Sequence, residues 1–153
     1  MALKTKLEKN VNIQNRKASH EYFFIDKYTA GLALQGTEIK SIRQQKVNFQ
    51  DAYCYINEGD VFVKSLHIAP YEEGTHYNHD PIRERKLLLK KKEIVKITKA
   101  LQDQGVTLIP TRLFISDRGF AKLDIAIAKG KKLYDKRDDL KEKDAKRELA
   151  RMV

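Results

Sequence analysis

The chain has little of what secreted proteins and metal-binding modules depend on. Its 153 residues include no tryptophan and one cysteine, Cys54. A single cysteine cannot form an internal disulfide, and it has no second thiol with which to hold a structural zinc ion. We therefore interpret Cys54 as a small apolar residue buried in a strand.

Long apolar runs are also absent. No segment approaches the roughly 18 apolar residues of a membrane-spanning helix, and the lysine-rich first residues lack the apolar core of a signal peptide. We expect a cytoplasmic protein that makes no membrane contact.

Familiar catalytic motifs are missing from the sequence. There is no Gly-x-Ser-x-Gly, no Walker loop and no glycine-rich dinucleotide fingerprint. His76, His79 and Asp80 form one cluster, but no further soft ligand lies nearby to complete a metal site. We expect no catalytic residues, no metal and no cofactor. An RNA-processing enzyme that uses this loop is the minority alternative.

Positive charge is what the chain has in excess. Lysine and arginine total 31 against 21 acidic residues, a formal net charge of +10. Such a surplus favours a polyanionic partner, and phosphate contacts would make its affinity sensitive to salt. Six basic residues lie between positions 83 and 92, and Arg43 and Lys46 lie in another connection. Charge alone leaves open a general RNA chaperone or a ribosome-associated RNA-binding protein.

Alternating apolar residues predict a mainly β fold of about six antiparallel strands. The segments concerned are 22–25, 30–34, 52–56, 61–68, 106–116 and 121–128. Glu58-Gly59-Asp60 predicts a hairpin turn. A short helix is expected after Gly36, with Thr37 as its N-cap, and a longer one ends before Gly105. So few helices cannot cover that many strands, so a small OB-like barrel with two or three helices is the economical fold.

The composition divides the chain into three parts. Residues 1–17 are polar and aperiodic and are interpreted as a loose N-terminal arm, and residues 18–128 form the barrel. Residues 129–153 are a basic C-terminal tail, which we expect to be disordered or helical because its apolar stripe is too narrow to stabilise a helix alone. On a helix, Lys132, Lys136 and Arg147 share one face, whereas Lys131 points elsewhere.

Several ordered blocks resemble the small protein B family of SsrA-binding proteins. They are Asn15-Arg16-Lys17-Ala18, Ala30-Gly31-Leu32, Gly36-Thr37-Glu38-Ile39-Lys40-Ser41, Asn78-His79-Asp80-Pro81, Arg85-Lys86-Leu87-Leu88-Leu89 and Gly130-Lys131-Lys132-Leu133-Tyr134-Asp135-Lys136-Arg137. The resemblance runs from about Asn15 to Arg151, and the order of the blocks makes it specific.

The resemblance implies an adaptor of ribosome rescue. Members of the family bind the tRNA-like domain of transfer-messenger RNA and accompany it, with elongation factor Tu, to ribosomes stalled on messages that lack a stop codon. The family's tail enters the decoding centre and the empty mRNA channel and becomes helical there, and the stalled peptide is then tagged for degradation. A monomer is expected.

The resemblance also nominates residues. Candidates for the RNA-binding side are Gly36, Glu38, Lys40, Arg43, His79, Arg85, Lys86 and Leu88. Candidates in the ribosome-binding tail are Gly130, Lys131, Lys132, Tyr134, Asp135, Lys136, Arg137, Lys143 and Arg147.

Some of these assignments carry alternatives. Glu38 has a competing structural role, because a carboxylate in a first turn stabilises a helix N-terminus. Of Leu87, Leu88 and Leu89, two are expected in the core and Leu88 at the surface. Tyr134 stands where many members carry histidine, and Thr29 replaces a common acid, so a contact made by that acid is in doubt.

Overall fold

The computed structural model describes residues 11–74 and 78–131. Within them the chain forms nine strands and three helices. In order these are β1 (Asn12–Gln14), α1 (Arg16–Glu21), β2 (Tyr22–Leu32), α2 (Gly36–Arg43), β3 (Val47–Asn48), β4 (Tyr53–Asn57), β5 (Asp60–Lys64), β6 (His67–Ile68), β7 (Arg85–Leu88), α3 (Lys91–Ala100), β8 (Val106–Ile115) and β9 (Ala121–Gly130).

Six strands close into an antiparallel barrel. Their order is β8-β4-β5-β7-β2-β9, and the pairing of β8 with β9 completes the ring. Closure leaves few exposed strand edges and encloses one core, to which alternate residues of β9 contribute. Leu123, Ile125 and Ile127 are buried in it as their alternation predicts. The predicted fold class, a small six-stranded barrel with three helices, is confirmed.

The two predicted first strands are one strand in the structure. β2 runs without interruption from Tyr22 to Leu32 and pairs with β9, with a bulge between Phe24 and Asp26. Ile25 is the unpaired residue of the bulge, and Asp26 and Lys27, which follow it, remain paired with β9. A bulge inserts one unpaired residue and bends a strand without ending it.

Because the two predicted first strands form one strand, the sixth strand of the ring is another segment, β7, which was not predicted from the sequence. Arg85–Leu88 lies between β2 and β5, where Arg85 and Leu87 point inward and Lys86 and Leu88 point outward. This strand lies within the basic stretch 83–92, whose composition gave no sign of a strand. That helix, α3, begins at Lys91 and is held by Ile97, which is fully buried.

The prediction of a loose N-terminal arm is wrong for residues 11–17. Val11 lies in the core, and β1 pairs with β8 outside the ring. Asn15 then caps α1, whose Ala18 packs on the outer face of the barrel against Ile109 and Ala128. Residues 1–10, 75–77 and 132–153 lie outside the described part of the chain.

The predicted hairpin turn is present. Glu58 and Gly59 join β4 to β5 with positive φ angles of 52° and 80°, the backbone that a two-residue hairpin requires. Gly119 closes the β8–β9 turn with a φ of 87°. Cys54 is buried in β4 as expected, and burial raises the pKa of its thiol, so it stays protonated.

Candidate RNA interface

α2 begins beside the sheet with a carboxylate in its first turn. The N-cap is Gln35, and the Glu38 side chain accepts a hydrogen bond from the Gln35 amide at 2.7 Å. Ile42 and Ser41 face inward and hold the helix against the barrel. Thr37, which was predicted as the N-cap, lies inside the helix, and its hydroxyl is bonded to His79 instead.

Glu38 is fully buried and bridges two arginines of the chain segment around β7. Arg83 donates to one carboxylate oxygen at 2.6 Å, and the Nε of Arg85 donates to the other. A carboxylate that receives two guanidinium groups and a backbone amide has its acceptors satisfied without water. The structural role of Glu38 at the helix N-terminus is thus present.

Arg85 is as buried as its partner. Beyond Glu38, its guanidinium donates to the carbonyl oxygens of Leu66 at 2.6 Å and Pro81 at 3.2 Å. One side chain of β7 therefore joins α2, the β5–β6 connection at Leu66 and the β6–β7 connection at Pro81. A buried cation needs such satisfaction, because burial of an unpaired charge costs several kcal/mol.

The electrostatics of the pair favour the ionised forms. Burial alone would raise the pKa of Glu38, but the hydrogen bonds from Arg83, the Gln35 amide and Arg85 outweigh it, and the pKa lies below its usual value. Burial lowers the pKa of Arg85, and the Glu38 carboxylate opposes that shift. Of the three side chains, Arg83 alone is partly exposed, so its guanidinium forms the solvent side of the network.

His79 is a third buried member of the predicted RNA-binding set. Its Nε2 lies 2.9 Å from the carbonyl oxygen of Ile68, and its Nδ1 lies 2.8 Å from the Thr37 hydroxyl. Because a carbonyl only accepts, Nε2 carries a proton and donates it to Ile68, whereas the Thr37 hydroxyl can pair with Nδ1 as donor or as acceptor. Both ring nitrogens are used internally, so His79 fastens the loop to α2.

The remaining predicted residues of this side are exposed. Gly36, Lys40, Arg43, Lys86 and Leu88 all lie at the surface. Lys40 lies 5.2 Å from the ring centroid of Tyr71, and Lys86 lies 3.6 Å from Asp60. A Cβ added to Gly36 would meet no atom within 4 Å, so a ligand can approach the α2 backbone here.

The three consecutive leucines divide as predicted. Leu87 is 2 % exposed and lies in the core, Leu89 packs partly against it, and Leu88 is 55 % exposed. A Cβ on Gly31 would stand 3.3 Å from the Cβ of Leu88, so the glycine leaves room for the leucine beside β2. Leu88 and the exposed Phe120 line one groove of about 290 Å³ near the start of α2.

Sequence reasoning missed the roles of Thr37 and Arg83. Thr37 is 42 positions from His79, and Arg83 is 45 positions from Glu38. Patterns within one element carry no information about such pairs. The basic composition of residues 83–92 pointed to the right segment and gave no sign that one of its cations is buried.

The predicted tail residues are described only at their root. Gly130 is the last residue of β9 and pairs with Tyr22, and Lys131 follows it directly. The other predicted tail residues, Lys132, Tyr134, Asp135, Lys136, Arg137, Lys143 and Arg147, lie outside the described residues.

The chain matches the family model of the SmpB protein over residues 12–153. This chain belongs to the SmpB family. Two curated relatives are SsrA-binding proteins, one from Bacillus pumilus, 55 % identical over 144 residues, and one from Phocaeicola vulgatus, 56 % identical over 142 residues. The alignments cover 94 % of this chain and 92 % of the first relative, and 93 % of this chain and 95 % of the second.

A solved structure supports the same family membership. The chain is similar to one described as "tmRNA-SmpB: a journey to the center of the bacterial ribosome", with a TM-score of 0.69 and 40 % sequence identity. The match covers 79 % of this chain and 85 % of that one. At this identity the likeness extends beyond fold to the SmpB family itself.

Other site types find little support in the described part of the chain. Residues 11–74 and 78–131 hold no group of three or more His, Cys, Asp or Glu side chains that could bind a metal ion. His79 is engaged with Thr37 and Ile68, and His76 is outside the described residues. No helix among the described residues is long and apolar enough to cross a membrane.

Proposed function

We propose that this protein is a non-enzymatic adaptor that binds transfer-messenger RNA in the cytoplasm and brings it to stalled ribosomes during trans-translation. The observation that carries the proposal is family membership over residues 12–153. The curated relatives are SsrA-binding proteins, and the similar solved chain belongs to a tmRNA–SmpB complex of the bacterial ribosome. Elongation factor Tu joins through the RNA, and the protein acts as a monomer.

The RNA-binding surface of this proposal consists of Gly36, Lys40, Arg43, Lys86 and Leu88, which lie around the buried network of Glu38, Arg83, Arg85 and His79. The exposed lysines and Arg43 contact phosphates, and Leu88 packs against an unstacked base or ribose. Glu38, Arg85 and His79 act beneath this surface and hold α2 and the loop in place. Their contribution to RNA binding is therefore indirect.

The tail has the second half of the function. We propose that the residues from Lys132 to Arg147 enter the decoding centre and the vacant mRNA channel, which a message still in place would exclude, and that Gly130 and Lys131 form the root of this tail on the barrel. The tail's basic residues would bind ribosomal RNA there through phosphate contacts. In this proposal the barrel binds transfer-messenger RNA, and the tail binds ribosomal RNA.

One experiment separates the two halves. The chain is truncated after Lys131, which keeps all of β9, and is assayed for binding to the tRNA-like domain and for peptide tagging on stalled ribosomes. We expect affinity close to that of the full chain and loss of tagging. Tagging by the truncated chain would contradict the role of the tail.

The alternative of a general RNA chaperone predicts a different result with the full chain. It would bind an unrelated structured RNA of equal length as tightly as the tRNA-like domain at the same salt concentration. An adaptor should bind the tRNA-like domain more tightly than the unrelated RNA. The difference between the two affinities should be smaller in the Leu88→Ala variant, because phosphate contacts alone do not distinguish one RNA from another. Equal affinity of the parent chain for both RNAs would overturn the proposal.

A further inference from the structure

Lys131 makes two contacts at the point where the barrel ends and the tail begins. Its ammonium group donates to the carbonyl oxygen of Ser19 at 3.2 Å. The same group lies 5.0 Å from the ring centroid of Phe23. The first residue after β9 is thus fastened to two neighbouring elements, α1 and β2.

α1 provides a firm attachment for this lysine. Asn15 precedes the helix. Its backbone amide donates to the carbonyl oxygen of Thr111 at 2.8 Å, and its side-chain amide donates to the carbonyl oxygen of Pro110 at 2.8 Å. Ala18 is buried against Ile109 and Ala128 on the next face. The helix is therefore fixed to β8 and β9 from both its start and its middle.

Ser19 offers the kind of acceptor that attracts a cation. It lies in the last turn of α1, where carbonyl groups have no partner within the helix and carry the negative end of its dipole. A lysine supplied from outside the helix satisfies such a carbonyl and complements its charge.

Phe23 completes the contact. It is 45 % exposed and pairs across the sheet with Lys129, two residues before Lys131. An ammonium group over an aromatic face is attracted by the ring's quadrupole, most strongly where water is partly excluded. Phe23 and Ser19 together restrict both the position and the orientation of the Lys131 side chain.

We infer that Lys131 is a positioning residue that sets the direction in which the C-terminal tail leaves the barrel. This inference rests on the proposed role of the tail at the ribosome. The barrel and the tail are proposed to bind at the same time, the barrel to transfer-messenger RNA and the tail to the ribosome. Simultaneous binding is favoured when the junction between barrel and tail is held close to the geometry that both contacts require. Placement on a helix had assigned Lys131 no part in the basic face of the tail, and the clamp gives it a different task.

The first test compares two charge losses of the same size. Lys131→Met keeps an unbranched apolar side chain and removes the ammonium group, and Lys96→Met does the same at an exposed position of α3, outside both proposed RNA-binding regions. In the full chain with transfer-messenger RNA we expect Lys131→Met to lower the tagging rate on the order of tenfold, with RNA affinity unchanged and Lys96→Met close to the parent. An equal loss of tagging in both variants would show that only the total charge matters, and this result would overturn the inference.

The second test asks whether Lys131 acts through Phe23. Phe23→Leu keeps an apolar residue and removes the ring, so it should also lower tagging, and the double variant should be no worse than the more damaging single one. Lys131→Arg should retain most tagging, because a guanidinium group can both donate to Ser19 and lie over the ring. If the losses of tagging in the two single variants multiplied in the double variant, Lys131 would not act through Phe23. A Lys131→Arg variant that tags as slowly as Lys131→Met would also overturn the inference.

The proposed function has a separate readout in the same assays. If the parent chain gave no tagging that depends on transfer-messenger RNA, the adaptor function itself would fail. If the parent tags and the Lys131→Met variant tags equally well, the adaptor function stands and the positioning role is wrong.

Discussion

Two sets of charged residues lie on α2 and on the neighbouring strand β7, and the two sets differ in burial. Beneath the helix, Glu38 and Arg85 are fully buried and bonded to each other. Around it, Lys40, Arg43 and Lys86 are exposed. Charged residues of the same segments thus lie in two environments: the buried set holds α2 and β7 together, and the exposed set is the one that we propose contacts RNA.

The difference shows why residue type is a poor guide to an interface. Arg85 and Lys86 are adjacent in β7, yet one points into the core and the other to solvent, because neighbouring residues of a strand alternate between faces. Leu87 and Leu88 repeat the same division. Burial can be tested independently of RNA binding, so the comparison leads directly to measurements.

The largest effect is expected from removal of the buried carboxylate. Glu38→Ala leaves two guanidinium groups near α2 without their anion, and breaking a buried pair in this way costs about 3–5 kcal/mol of folding free energy. Urea unfolding followed by circular dichroism would measure the loss. Part of the RNA affinity should fall as well, because the surface around α2 loses its support.

Glu72→Ala is the matched control for this variant. Glu72 also pairs with a cation, Lys46, at 2.8 Å, but its side chain is 80 % exposed. Exposed ion pairs contribute little to folding because water and salt screen them. If both variants lost the same stability, the distinction between a supporting and a contacting region would be wrong.

The next largest effect distinguishes two neighbouring leucines. Leu87→Ala empties part of the core and should cost about 2–5 kcal/mol, whereas Leu88→Ala removes an exposed side chain and should leave the free energy of unfolding nearly unchanged. RNA affinity should respond in the opposite sense, with Leu88→Ala the weaker binder at a temperature where both variants are folded. Thermal unfolding and filter binding at one salt concentration would measure the two quantities.

This reversal is what the comparison requires. A Leu88→Ala variant that unfolds as early as Leu87→Ala would place Leu88 in the scaffold. A Leu88→Ala variant that is stable and binds RNA as well as the parent would remove it from the proposed interface.

The smallest effect concerns acidic pH. The pKa of Glu38 in the folded state lies below its value in the unfolded chain, which is about 4.3. The unfolded state therefore binds more protons in this range, and the stability that Glu38 contributes is present above about pH 4.3 and is lost as the pH falls through the folded pKa. In the parent chain the free energy of unfolding should fall over that window.

Glu38→Gln removes the titrating group and keeps the size of the side chain. Its stability at neutral pH should be lower, and its decline in acid should be shallower than that of the parent. Parallel curves for the two chains, measured by urea unfolding across the window, would show that Glu38 is not linked to acid sensitivity.

Local patterns predicted the parts of the fold that local chemistry decides. The β4–β5 hairpin follows from Glu58-Gly59, α2 and α3 from their apolar spacing, and the inner face of β9 from its alternation. The arm and the split first strand were wrong because Asn15 finds its partners on β8, and β2 is held across its bulge by β9. Those partners are distant in sequence, so local periodicity could not reveal them.

The candidate site divides along the same line. The ordered blocks of residues were enough to indicate the family and to nominate the segments of the proposed interface. Once β7 is known, its alternation accounts for the difference in burial between Leu87 and Leu88. Which candidates touch a partner depends on burial. Glu38 and His79 are withdrawn from the surface by Arg83, Arg85 and Thr37, which approach them from 42 or more positions away.

By itself the sequence determined a basic, mainly β chain of the SmpB type with a charged tail, because charge, alternation and ordered motifs are properties of residues near one another. Only the tertiary structure decided that Glu38, His79 and Arg85 are internal and that Lys131 is tied to Ser19 and Phe23. Burial and clamping arise when barrel closure brings distant segments within hydrogen-bond distance, and no local pattern specifies which segments those are.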